Sequence, residues 1–238
     1  MKTISLFSKR DLYISSCDES GLIRMPGKSQ YRQRIARYNN LHLIDYVTLI
    51  DDIPVVAPYN GDTSMSFLPI TDWKKVHNYD NVAGHTFLHD IKFAKRVWFN
   101  LERTTYNLQY FKVLVAPDFS MYVDAPMFYN YEAIYKNRFV AAFWQAIGYT
   151  VIPSASWGNA DSFSYAFKGL PRKSVIATTG TTHNSNADAK LLWKYGLQEL
   201  ESQLEPTLII VYGAEEDTSW LTTPVLFKTD YITNRFRK

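Results

Sequence analysis

Cysteine is all but absent: Cys17 is the single one in 238 residues. One thiol can make neither an intramolecular disulfide nor a Cys-rich zinc module, so the fold must rest on a hydrophobic core, and the chain fits a reducing compartment. Cys17 precedes Asp18 and Glu19, whose charges disfavour the thiolate and make it a poor nucleophile. Long apolar runs are also missing. Uncharged apolar runs such as 113–117 and 207–211 are of strand length, against the roughly 18 residues a membrane helix needs. Residues 1–6 open no apolar stretch of signal-peptide length. The expectation is a cytoplasmic protein with no membrane partner. Glycine and proline, ten of each, are too ordinary for a fibrous or low-complexity chain. No Gly-x-Ser-x-Gly elbow, dinucleotide glycine fingerprint, zinc-protease motif or Walker loop occurs.

What is present is globular. Hydrophobic residues make up 46% and charged residues 21%, and this length buries a full core. Aromatics reach 16%, with 17 Tyr, 14 Phe and 6 Trp. Such rings fill cores, and they also line grooves for bases or sugars. Charge is uneven within the net +3. Residues 1–40 hold eight basic groups against three acidic ones, and 228–238 hold four against one, which leaves 41–227 at −5. Basic ends on an acidic body suit a phosphate backbone or an acidic partner, or simply a solvated face. Arg32, Arg34 and Arg37 interleave with Tyr31 and Tyr38, which makes them candidate nucleic-acid contacts.

Periodicity divides the chain at about residue 84. Residues 1–84 read as an irregular or β-rich extension packed on the core, with strand candidates at 41–50 and 53–58 and a turn at 60–62. Residues 85–238 read as an α/β core with a basic tail. Helical spacing covers 85–100; a buried-type strand covers 110–116, and an amphipathic helix 126–147 stops at Gly148. Strands at 149–152, 174–177 and 207–211 follow, with a short helix at 161–167 and a long one at 187–204. This order predicts parallel strands with crossover helices, as a layered sheet or a partial barrel. Such folds place ligands beyond the carboxyl ends of the strands.

That rim is rich in chemistry. Asp118 and Asp124, joined by Glu215, form an oxygen-ligand set for Mg²⁺ or Mn²⁺ that would activate water against a phosphodiester. The same two aspartates could divide as acid and base, or cap the turn and the helix that follow them. Arg138 and Gln145 lie two turns apart on one helix face, where the arginine would bridge to the aspartates or bind an anion. Ser154, Trp157, Thr179, Thr181 and Tyr212 complete the rim as ligand-binding candidates, with a ring to stack on a base. The loop 178–183 leads into a helix and suits an anion or simple capping. His85 and His89 have the i, i+4 spacing of a metal pair on a helix but lack supporting ligands.

Pro117-Asp118-Phe119-Ser120-x-Tyr122-x-Asp124-x-Pro126, Asn137-Arg138, Trp144-Gln145, Gly148, Val151-Ile152-Pro153, Trp157 and Tyr212-Gly213 together resemble a family of domains of unknown function carried by bacteria, phages and integrative elements. The resemblance spans about 85–213, and its specific element is Pro-Asp-Phe-Ser. It implies a mobile-element protein in a bacterial host cell and a pocket around Asp118, Asp124, Arg138, Gln145 and Trp157; it implies no activity or cofactor. The expected function is action on nucleic acid or nucleotides, by metal-dependent hydrolysis at the strand ends. The rivals are a non-catalytic module for phosphate, nucleic acid or a protein partner, and a carbohydrate-active barrel with two carboxylates flanking the glycosidic bond.

Overall fold

A computed structural model describes residues 29–75, 78–87, 94–180, 186–213 and 215–229. The chain forms two compact units, 1–45 and 46–238. In the first, helix α1 spans Ser29–Tyr38 and ends where the backbone N–H and the side-chain amide of Asn39 both donate to the Ile35 carbonyl. Asn40 takes φ 55°, a left-handed position that Asn tolerates. Its carbonyl accepts the Leu43 N–H and starts a 3₁₀ turn, Leu41–Tyr46, so most of the apolar stretch 41–50 is not a strand.

The second unit opens with a hairpin. Strands β1 (Leu49–Ile50) and β2 (Ile53–Pro54) pair antiparallel around Asp51 and Asp52, both at positive φ, as a two-residue primed turn requires. Seven parallel strands follow: β3 (Ser66–Pro69), β4 (Val82–His85), β5 (Val113–Val115), β6 (Thr150–Ile152), β7 (Val175–Thr179), β8 (Leu208–Tyr212) and β9 (Val225–Lys228). Ladders join β3-β4-β5-β6 and β7-β8-β9, and a parallel bridge from Ser154 to Ala177 connects the two sets. Spatial order is therefore sequence order. Helices α2 (Leu101–Asn107), α3 (Met127–Ala146), α4 (Phe163–Ala166) and α5 (Ala187–Leu204) lie in the crossovers. The fold is α/β.

The sheet curls onto itself. Neighbouring strands lie about 4.8 Å apart, so in a flat sheet β3 and β8, five steps apart, would be separated by roughly 24 Å. Instead the Phe67 and Tyr212 rings stack at 6.5 Å and His85 meets Tyr212 at 4.5 Å. Phe67, Ala83, Val115, Ile152, Ala177 and Ile210 form one buried cluster with Tyr212 packed against it. Strands from both edges thus share a single interior, that of a partly closed barrel. No ladder joins β9 to β3 among the described residues, but Asp62 ahead of β3 and Lys228 in β9 attract each other across the gap.

Strands β3, β4 and β9 were not among the predicted elements. Each is short, and among the described residues no α-helix joins β3 to β4 or β8 to β9, so no strand–helix alternation marks them out. Gly84, read as a helix boundary, sits inside β4: a Cβ there would lie 3.1 Å from Leu114 and Phe111 and 3.2 Å from Ile70, so the glycine marks close packing. His85 consequently ends a strand and does not open a helix, and His89, its expected partner, lies outside the described residues. Residues 88–93 lie outside the described residues; beyond them Ala94–Trp98 is a single π-helical turn.

Candidate functional site

Helix α3 is the spine behind the rim, and its amides act as clamps. Asn137 accepts the Phe119 N–H at 2.6 Å and donates to the Phe119 carbonyl at 3.1 Å. Two turns earlier Asn130 does the same for Tyr122, at 2.9 Å each way. Gln145 grips Ala57, accepting its N–H at 2.8 Å and donating to its carbonyl at 3.0 Å. Each side chain replaces one strand partner for an irregular segment, so loop backbone need not find a ladder. Arg138, 2% exposed, donates to the carbonyls of Lys168 (3.0 Å), Ser154 (3.0 Å) and Ala166 (2.9 Å). Burial pulls its guanidinium pKa below the ordinary value, and the nearby Asp118 carboxylate opposes that shift. Ser154 is occupied too: its hydroxyl donates to the Pro117 carbonyl at 2.7 Å. Ser154 therefore ties the Pro-Asp-Phe-Ser segment to the loop after β6, Arg138 ties that loop to the end of α4, and Gln145 anchors the segment after β2.

The three expected metal ligands do not gather. Asp118 is buried beside Arg138, while Asp124 and Glu215 are exposed. Among the described residues no group of three His, Cys, Asp or Glu side chains is placed to hold a metal ion. Asp124 does not cap α3 either, because the N-cap position is Pro126 and no side chain bonds there.

A cleft of about 350 Å³ does open at the carboxyl ends of β6 and β7. Met121 and Val123 from the loop after β5, Ser156 and Trp157 from the loop after β6, and Thr178 and Thr179 from the end of β7 form one side. Asn186, Asp188, Leu192 and Trp193 of the α5 end form the other. Asn186 caps α5, its side-chain oxygen accepting the Ala189 N–H at 2.7 Å. The Trp193 indole N–H reaches the Thr179 carbonyl at 3.3 Å. Trp157 lies flat on Gly196, where a Cβ would sit 2.0 Å from the indole. Gly196→Ala is thus expected to expel the ring and lower stability by about 1–3 kcal/mol, measured by urea unfolding; an unchanged midpoint would disprove that packing.

Of the predicted rim residues, Trp157 and Thr179 line this cleft, and Thr181 lies outside the described residues. Tyr212 belongs instead to the barrel mouth, packed on His85, Phe87 and Phe67. There His85 is fully buried and accepts the Phe87 N–H on Nδ1 at 3.1 Å. Burial pushes its imidazole down to about 3, so the ring is neutral with its proton on Nε2, an atom without a hydrogen-bond partner. Arg34 and Arg37 are exposed in the 1–45 unit; the Arg32 side chain and Cys17 lie outside the described residues. Sequence reasoning did not single out Met121, Leu192 or Trp193; Met121 lies some 70 residues before the other two and meets them only through the crossover of α5.

No described helix is long and apolar enough to cross a membrane. The chain is 33% identical over 131 residues to the Gene 1 protein of Mycobacterium phage L5, covering 55% of this chain and 57% of that one. It is 33% identical over 138 residues to the Gene 1 protein of Mycobacterium phage D29, covering 57% and 51%. The matched stretch is thus about half the length of these curated relatives. No solved structure matches the chain. A family model matches residues 50–228, a span that takes in every strand of the barrel and is wider than the 85–213 of the motif resemblance. The chain belongs to the family described as Domain of unknown function (DUF4417).

Proposed function

We propose that this chain is a phage or mobile-element protein that acts on nucleic acid or nucleotides by binding, with a base or nucleoside held in the rim cleft between β6 and β7. The observation that carries the reading is that two indoles, Trp157 and Trp193, line one cleft that also offers Ser156, Thr178, Asn186 and Asp188. Flat apolar walls with a few convergent donors and acceptors suit a heterocycle, whose π-face and edge groups need both. The phage relatives support the mobile-element setting. Binding is favoured over metal-dependent hydrolysis because Asp118, Asp124 and Glu215 stand apart and Arg138 is spent on three carbonyls. A glycosidase would need two carboxylates flanking the bond, and Asp188 is the lone carboxylate lining the cleft.

Titration of nucleosides and nucleoside monophosphates, followed by tryptophan fluorescence, tests this. Quenching by at least one of them is expected, with affinity about tenfold weaker in Trp157→Ala. The Asp118→Asn variant should bind like wild type while losing stability. Quenching that Trp157→Ala leaves unchanged, or a response to oligosaccharides alone, would overturn the assignment.

A further inference from the structure

A second cleft, of about 290 Å³, lies away from the rim, between the segment after β3 and the π-helical turn with α2. Trp73, Lys95, Arg96 and Arg103 line it, and among the described residues no acidic one does. Trp73 continues into a ladder of rings: Tyr110 stacks on it at 5.7 Å and 10°, and Tyr79 stacks on Tyr110 at 5.7 Å and 29°. Tyr110 is half exposed, and Lys74 Nζ stands 5.2 Å from the Trp73 ring. Tyr79 and Tyr110 each precede a strand by three residues, which puts the ladder at the amino ends of β4 and β5, the end of the barrel opposite the rim.

The backbone that carries two of these cations is braced from below. Lys95 and Arg96 sit on the π turn Ala94–Trp98, whose Val97 and Trp98 are buried. The Lys95 carbonyl accepts from the Asn100 amide at 2.6 Å, and the Arg96 carbonyl accepts from the Thr104 hydroxyl. A π turn with its carbonyls closed off presents adjacent side chains outward in a fixed direction, and such turns recur at functional sites. Arg103 joins them from α2. Three cations beside the half-buried Trp73 ring at the end of the stack are the two parts of a single-strand platform, in which the backbone follows the charges and a base stacks on the ring. A duplex keeps its bases stacked inside and would engage only the charges.

We propose that this cleft binds single-stranded nucleic acid, with phosphates on Lys95, Arg96 and Arg103 and a base on the Trp73–Tyr110 ladder. It does not depend on the rim reading, and different variants report on each. The test is fluorescence anisotropy of the full chain with a labelled 20-nucleotide oligothymidylate over a range of salt. Neutralising three phosphates predicts a log–log salt slope of about −2. The exposed double variant Lys95→Glu/Arg96→Glu should weaken binding at least tenfold and flatten that slope, with its thermal midpoint unchanged. Trp73→Leu should weaken binding about tenfold while leaving the slope intact, a separation that a general charge effect cannot give. The proposal is overturned if wild type fails to bind the oligonucleotide at low salt, or if both cleft variants bind like wild type. Equal competition by a duplex of the same length, or by polyglutamate, overturns it as well.

Discussion

Replacing Arg138 with leucine is expected to remove about 3–5 kcal/mol of stability, the largest single loss in the barrel. The guanidinium is buried and supplies the donors for three carbonyls, that of Ser154 after β6 and those of Ala166 and Lys168 at the end of α4. Leucine fills part of the volume but leaves those carbonyls unmet, and each buried unmet group costs about 1–3 kcal/mol. It also strips Asp118, 7% exposed, of the cation beside it. Lysine should restore little, because a point charge with three rotatable donors does not reproduce a planar fork fixed on three acceptors. Urea unfolding of Arg138→Leu and Arg138→Lys measures this. A loss under 1 kcal/mol in both would show that the loops find other partners.

The second large effect is in pH. His85 has its pKa held at about 3 against an ordinary 6.5, because burial among Phe67, Phe87 and Tyr212 disfavours the cation. Above pH 6.5 the ring is neutral in both folded and unfolded chains and contributes no pH dependence. Below 6.5 the unfolded chain takes up a proton that the folded one refuses, so stability falls as pH falls. By pH 5 the loss is about 2 kcal/mol, and it continues to about pH 3. His85→Leu should abolish this slope between pH 6.5 and 5. Chemical unfolding at pH 7.5, 6.5 and 5 in both proteins reads the difference directly, and parallel slopes would show that His85 is not the group responsible.

The main crossover elements were legible in the sequence because they are long or strongly patterned. The helix predicted at 126–147 is α3, Met127–Ala146, and that at 187–204 is α5, Ala187–Leu204. Strands β5 to β8 fall within a few residues of their predicted places, since each is an apolar run set off by helices and turns. The parallel order follows from that alternation. The first half of the barrel was not legible. Strands β3 and β4 hold four residues each, and their sequences gain meaning only when Phe67 and His85 meet Tyr212 some 130 residues later.

The residues predicted as a pocket show the same division. The residues of the Pro-Asp-Phe-Ser neighbourhood do come together: Asp118 beside Arg138, Phe119 on Asn137, Pro117 on Ser154. Whether such groups face a ligand or the protein's own backbone depends on which carbonyls lie within 3 Å, a matter of loop position that no local pattern records. By itself the sequence determined the α/β class, the parallel crossovers and a family-specific polar cluster, because helix period, strand length and turn chemistry are local properties. Tertiary structure alone decided that the sheet curls onto itself, that Trp157 and Trp193 line one cleft, and that Lys95, Arg96 and Arg103 share a surface with Trp73. Those are juxtapositions of distant segments, and packing of the partly closed barrel, not propensity, sets them.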